Sequence, residues 1–123
     1  MSLPSTPDDL LFLHNPRCSK SRAVASILAE RGIAHRERRY LDEPLTRDEL
    51  VELGRRLGLA AREWIRTGEA AYREGGFGPA SSEDELLDAM ASDPILMQRP
   101  ILVSADAARI GRPPEAVLDL LDG

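Results

Sequence analysis

Leu10-Leu11-Phe12-Leu13-His14-Asn15-Pro16-Arg17-Cys18-Ser19-Lys20-Ser21-Arg22 is the stretch from which the rest of the chain can be read. Leu10 to Leu13 is an unbroken apolar run, the pattern of a short strand buried on both faces. Asn15-Pro16 breaks that run. From Ser19 a helical period takes over, with Val24, Ile27 and Leu28 on one face and Gly32 as a natural stop. Ile33 to Leu41 then reads as a second, more polar strand with Tyr40 near its end. Strand, tight loop, helix and strand make a βαβ unit, whose two strands should be parallel.

Beyond Pro44, Thr46 and Glu49 have capping-box spacing, and Leu50, Leu53 and Leu57 mark the helix they open, with Gly58 past its end. A shorter helical piece is expected over Ala60–Arg66. Thr67 to Ser81, with Gly75-Gly76-Phe77-Gly78-Pro79, reads as loop with the composition of a mobile flap and lacks a P-loop pattern. Ser82 and Glu85 form a second capping box, for a helix through Leu86, Leu87 and Met90 that stops before Pro94. Ile101–Ser104 is again a short apolar strand. Ala105-Asp106 turns the chain and Ala108–Ile110 can return antiparallel. Gly111-Arg112-Pro113-Pro114 leads into a last helix with Val117, Leu118 and Leu121 inward. The order βαβ, helical block, ββα predicts an α/β sandwich with a small mixed sheet. Residues 10–123 are expected to form a single domain with a helical insertion at about 45–93, preceded by a flexible segment, 1–9.

A chain of 123 residues, 42% apolar and 30% charged, suits one soluble domain. Its formal charge of −5 disfavours nucleic acid or an anionic membrane as partner. The five aromatics (Phe12, Tyr40, Trp64, Tyr72 and Phe77) are too few for a base-stacking platform. No apolar stretch approaches the roughly 20 residues of a membrane span. Asp8 and Asp9 stand where a signal peptide would carry Lys or Arg and then an apolar run, so a cytoplasmic location is expected. Up to Leu41 the chain holds seven basic and four acidic residues, so its cationic excess lies in the segment that contains Cys18.

Cys18 is the one cysteine. It has no partner for an internal disulfide, and with only His14 and His35 beside it no metal site is expected. A lone cysteine is usually a small buried apolar group. Here, however, it stands where a strand hands over to a helix, facing unpaired N–H groups and the positive end of the dipole. Arg17, Lys20 and Arg22 add positive charge. Such surroundings lower a thiol pKa, and the effect is large. At pH 7 a pKa of about 8.5 leaves roughly 3% thiolate, and one of about 6.5 gives roughly 75%. Dithiol exchange needs C-x-x-C, and the fourth position is Ser21. A phosphatase-type loop needs C-x5-R, and the sixth residue on is Val24. What remains is a single nucleophilic thiolate, with the Ser21 hydroxyl placed to donate to it.

His14 to Arg22 resembles the active-site stretch of the ArsC-type arsenate reductases, the branch that works with glutathione and glutaredoxin. The likeness continues through Tyr40-Leu41-Asp42-Glu43-Pro44, Asp93-Pro94-Ile95-Leu96-Met97-Gln98-Arg99-Pro100-Ile101 and Ile110-Gly111-Arg112-Pro113-Pro114-Glu115, spanning about residues 10–121 in collinear order. The resemblance implies a thioredoxin/glutaredoxin-like fold with a helical insertion. It also implies Cys18 as the nucleophile and Arg66, Arg99 and Arg112 as the arginines that bind the oxyanion or stabilise the thiolate. His14, Ser21 and Arg22 would tune the sulfur, and Pro100 would be the cis-proline facing the site. No bound cofactor is implied. Arsenate would be the substrate, glutathione the co-substrate and glutaredoxin the partner. Cysteine attack would expel water from arsenate, glutathione would reduce the adduct and leave a mixed disulfide, and glutaredoxin would resolve it.

Two other functions compete. One keeps the thiol but exchanges glutathione with disulfides, or reduces another oxidised substrate, and has no need of convergent arginines. The other is a regulatory binding module similar to Spx, which contacts RNA polymerase; such switches generally use C-x-x-C, which Ser21 breaks.

Overall fold

The computed structural model describes residues 2–122. Along the chain run β1 (Leu11–Leu13), α1 (Ser19–Glu30), β2 (Arg36–Arg38), α2 (Arg47–Leu57), α3 (Ala61–Trp64), α4 (Ala70–Glu74) and α5 (Glu83–Ser92). A 3-10 turn (Pro94–Leu96), β3 (Ile101–Val103), β4 (Ala108–Ile110), a second 3-10 turn (Pro114–Val117) and α6 (Leu118–Asp122) complete it. They form two compact units, one made of the segments before Pro44 and after Gln98, the other of Pro44–Gln98.

The first unit holds the whole sheet, in the order β2-β1-β3-β4. β1 pairs parallel with β2 (Leu11 opposite Arg36, Leu13 opposite Arg38) and antiparallel with β3 (Leu11 opposite Val103, Leu13 opposite Ile101). β3 pairs antiparallel with β4, Ile101 opposite Ile110. The sequence follows this order. The two inner strands, Leu-Phe-Leu and Ile-Leu-Val, are buried throughout, and the two edge strands carry the charges of Arg36, Glu37 and Arg109. Phe12 and the Leu102 opposite it pack with Val24 and Leu28 of α1 and with Val117. Burying each side chain of that size contributes about 1.5–3 kcal/mol.

The register brings one end of all four strands together. The ends of β1 and β2, the start of β3 and the end of β4 lie at the same edge of the sheet. Segments 14–18, 39–43, 99–100 and 111–112 therefore emerge side by side. Gly111 fits there because of close approach: a Cβ on it would meet Val24 Cγ2 at 2.7 Å and Pro100 Cγ at 2.8 Å. Its N–H donates to the Pro100 carbonyl at 2.8 Å.

The Pro44–Gln98 unit is helical. Thr46 caps α2 and Ser82 caps α5, each in a full capping box with Glu49 and Glu85. α2 ends at Gly58, which takes a left-handed φ of 72°. Leu50, Leu53, Trp64, Leu86 and Met90 are buried within this unit.

Four expectations change in detail. The second strand shortens to Arg36–Arg38, since Tyr40 lies past the last pairing residue. The helical piece after Gly58 is one turn, Ala61–Trp64, so Arg66 falls outside it. The Thr67–Ser81 segment is not loop throughout: α4 forms in it, and Tyr72 and Phe77 bring their rings to 5.9 Å across the Gly75-Gly76 turn. That local aromatic pair was hidden among the glycines. The last helix starts as a 3-10 turn behind Pro113 and Pro114. Of the segment expected as a flexible lead-in, 1–9, Met1 lies outside the described residues, Pro4 is buried and Asp9 pairs with Arg36 at 2.7 Å. Among the described residues no helix is long and apolar enough to cross a membrane.

Candidate active site

The site starts from a turn that the sequence dictates. Asn15-Pro16-Arg17-Cys18 closes with the Cys18 N–H donating to the Asn15 carbonyl at 2.9 Å, and Pro16 presets its second position. The Asn15 side-chain Oδ1 accepts from the Arg17 N–H at 3.1 Å. Cys18 is the N-cap of α1, with extended φ and ψ, and its carbonyl accepts the first helical bond from the Arg22 N–H at 3.0 Å. A capping oxygen normally meets the N–H groups two and three residues on. At α1 that place belongs to sulfur, no side-chain cap is made, and the first turn holds no acidic residue.

The half-buried sulfur is shaped by opposing effects. Burial pushes the Cys18 thiol up. The backbone N–H groups of Ser21 and Lys20 and the charges of Arg99 and Arg112 pull it down, and together they win, so the thiol lies below its ordinary value. Arg99 and Arg112 come to the sulfur from the starts and ends of neighbouring strands. The Arg112 Nε donates to the Arg99 carbonyl at 2.9 Å, which ties the two together. Arg99 Nε is buried with no hydrogen-bond partner among the described residues. Such a donor beside a second guanidinium suits a tetrahedral oxyanion, because arginine donates paired bonds and stays charged. The Arg99–Pro100 peptide is cis, as the resemblance implies, and so is Arg112–Pro113.

The three groups expected to tune the sulfur act differently from one another. Ser21 is buried, and its Oγ lies 2.6 Å from His14 Nδ1 and accepts from the Asn15 N–H at 3.0 Å. Its backbone N–H, rather than the hydroxyl expected from sequence, lowers the thiol. His14 is buried against Phe12, with ring centroids 4.7 Å apart. Burial holds its pKa below the usual value, helped by Arg39, Arg22 and His35 and opposed by Glu37. A neutral His14 can position Ser21 and offers the thiolate no ion pair. Arg22 donates to the Pro16 carbonyl at 3.0 Å and so braces the turn.

Arg66 belongs to the Pro44–Gln98 unit. There it pairs with Glu69, and its Nη1 donates to the Ile95 carbonyl at 3.3 Å, with its N–H on the Leu96 carbonyl at 2.7 Å. The charges of Arg99 and Arg112, from the same unit as Cys18, lower its thiol. Sequence reasoning singled out Lys20 for its charge, whereas the structure uses its amide. Asn15 and Gly111 were missed as site-shaping residues; the Asn-Pro dipeptide and the glycine before Arg112 were the available signals.

Known proteins share this sequence and this fold. The ArsC family model matches residues 13–120. An arsenate reductase of Neisseria meningitidis serogroup A is 44% identical over 111 residues, covering 89% of this chain and 95% of the relative. The uncharacterized protein YfgD of Escherichia coli K12 is 44% identical over 110 residues, covering 88% and 92%. Among solved structures, an arsenate reductase from Vibrio cholerae superposes with a TM-score of 0.87 at 41% identity, covering 90% of this chain and 96% of the other. The βαβ, helical insertion and ββα order is thus the thioredoxin-like fold of these relatives. On the family match and the identities together, the chain belongs to the ArsC family.

Proposed function

We propose that the protein reduces arsenate, with Cys18 as nucleophile and with glutathione and glutaredoxin supplying the electrons. One observation supports this above the others: a single sulfur receives two helix amides and the charges of two arginines, one with an orphaned buried N–H. Simple thiol exchange has no use for that convergence of cations. Relatives named arsenate reductase share the family.

The chemistry follows from the groups present. Arsenate is a dianion near neutral pH, and Arg99 and Arg112 offset its repulsion from the thiolate. Cys18 Sγ forms a bond to arsenic and one arsenate oxygen leaves, protonated, as water. The thiolate of glutathione then attacks Sγ. A sulfur–sulfur bond forms, the sulfur–arsenic bond breaks, and its electron pair stays on arsenic, which passes from As(V) to As(III) and leaves as arsenite. Cys18 is now in a mixed disulfide with glutathione. A glutaredoxin thiolate attacks the glutathione sulfur and returns Cys18 as thiolate. Two thiols are oxidised for each arsenate reduced. With one cysteine in the chain, both must come from outside. Such a cycle belongs in a compartment that keeps glutathione reduced, the cytoplasm.

The test is a coupled assay with arsenate, glutathione and glutaredoxin, each omitted in turn. Arsenite should form over repeated turnovers only with all three; without glutaredoxin it should stop at about one arsenite per protein, and without glutathione none should form. Turnover of a glutathione mixed disulfide without arsenate reduction would favour the exchange enzyme.

A further inference from the structure

A cavity of about 370 Å³ opens beside the nucleophile's loop, lined by His14, Asn15 and Arg17 on one side and by Arg39 and Asp42 on the other. Its size falls within the range of small-molecule sites, roughly 300–1,000 Å³. Its lining comes from the ends of β1 and β2, and none of it from the β3 and β4 segments that bring Arg99 and Arg112. In the sheet, β1 lies between β2 and β3. The loop bearing Cys18 is therefore flanked by the oxyanion arginines on one side and by this cavity on the other.

Resting on the function proposed above, we infer that the cavity seats the thiol co-substrate, a small peptide thiol with two carboxylates and one ammonium, the chemistry of glutathione. Charge selects it. Arg17 and Arg39 offer two guanidinium groups, and Asp42 offers one carboxylate. Burial keeps His14 neutral beside them. A dianionic oxyanion would meet Asp42 as repulsion, whereas a zwitterionic peptide finds a partner for each charged end. The positions are built by a tight turn, in which the Asp42 N–H donates to the Arg39 carbonyl at 3.0 Å and the Glu43 N–H at 2.9 Å. Glu37 engages Arg39 Nε at 3.3 Å and steadies the side chain. Arg17 is exposed and adjoins Cys18, so its Cα lies about 3.8 Å from that of the nucleophile.

The placement also suits the reaction. A thiolate that attacks Sγ of the adduct must approach from the side opposite arsenic. Neighbouring strands lie about 4.8 Å apart, so the two flanks of β1 are separated by about 10 Å, the length of an extended tripeptide. A ligand anchored at Arg39 and Arg17 can thus deliver its sulfur to Cys18 while Arg99 and Arg112 hold the oxyanion.

The test is steady-state kinetics in the coupled assay, with glutathione and arsenate varied separately, on Arg17→Ala, Arg39→Ala and Asp42→Asn. Loss of a charge-assisted bond should raise the KM for glutathione about tenfold in each arginine variant, with the KM for arsenate moving less than about twofold. Asp42→Asn should raise the glutathione KM by a smaller factor. An unchanged glutathione KM, or an equal rise for arsenate, overturns the inference. A second measurement separates its failure from that of the proposed function. Amide chemical shifts of the wild-type protein are followed on titration with S-methylglutathione, which cannot be oxidised. Saturable shifts at Asn15, Arg17, Arg39 and Asp42 that vanish in the Arg17→Ala/Arg39→Ala double variant support the cavity even if arsenate is not reduced. Absence of those shifts in the wild type overturns it even if arsenate is.

Discussion

Helix α1 and helix α5 begin under the same physics and solve it in opposite ways. α5 opens on Ser82 in a capping box, with Glu83, Asp84 and Glu85 in its first turn. Hydroxyl and carboxylates there satisfy the orphan amides and neutralise the positive end of the dipole. α1 opens on Cys18, has no acidic residue in its first turn, and leaves the amides of Lys20 and Ser21 to sulfur. The contrast teaches how to separate stability from function at a helix end. A terminus completed with oxygen holds a helix in place, and one left electropositive holds a thiolate.

The largest way to break this contrast is to give α1 the cap that α5 has. Cys18→Ser puts a hydroxyl where the sulfur stands, and serine is among the preferred N-caps. Arsenate reduction should vanish while the helix stays intact. Thermal unfolding followed by circular dichroism should show an unfolding temperature equal to or above that of the wild type. Residual arsenate reduction in this variant would remove Cys18 from the chemistry.

Legibility in the sequence followed the range of the forces involved. The capping boxes at Thr46 and Ser82, the stop at Gly58 and the apolar inner strands depend on near neighbours or on simple burial, and they were readable from the chain. The position of Cys18 at a strand-to-helix turn was readable for the same reason. The Tyr72–Phe77 pairing that organises α4 was not, because glycine and proline between 75 and 79 suggest irregular chain whatever the rings do. At the site, the roles of backbone amides escape any reading of side chains. Ser21 was chosen for its hydroxyl and contributes its N–H, while the hydroxyl goes to His14 and Asn15. Fifteen arginines also hide which of them meet the sulfur. Arg99 and Arg112 do so through strand register, a long-range property that spacing does not encode.

A smaller effect comes from removing the cap of α5. In Ser82→Ala the Glu85 N–H loses its acceptor at 3.1 Å. Unfolding in urea should show a loss of about 0.5–2 kcal/mol, typical of N-cap removal. The rate at which iodoacetamide alkylates Cys18 should not change, because this cap touches a different helix. A changed alkylation rate would mean that the two termini are not independent.

The finest test adds to α1 the acidic residue it lacks. Ser19→Asp places a carboxylate in the first turn, next to the sulfur. It should stabilise the helix by about 0.3–1 kcal/mol through the dipole and, by the same charge, raise the thiol pKa. The sign for the wild type is set by a folded thiol pKa below its ordinary, unfolded value. Between those two values the unfolded chain binds the proton and the folded one does not, so stability rises with pH across that window. The contribution is complete above the unfolded thiol value and is lost as pH falls through the folded pKa. In Ser19→Asp the window narrows from below, so stability should gain less from rising pH. The midpoint of the alkylation rate against pH should move upward toward the ordinary thiol. A midpoint that stays where it is in the wild type, with the helix stabilised, would show that charge in the first turn does not reach the sulfur, and would leave the lowered thiol to the Ser21 and Lys20 amides and to Arg99 and Arg112.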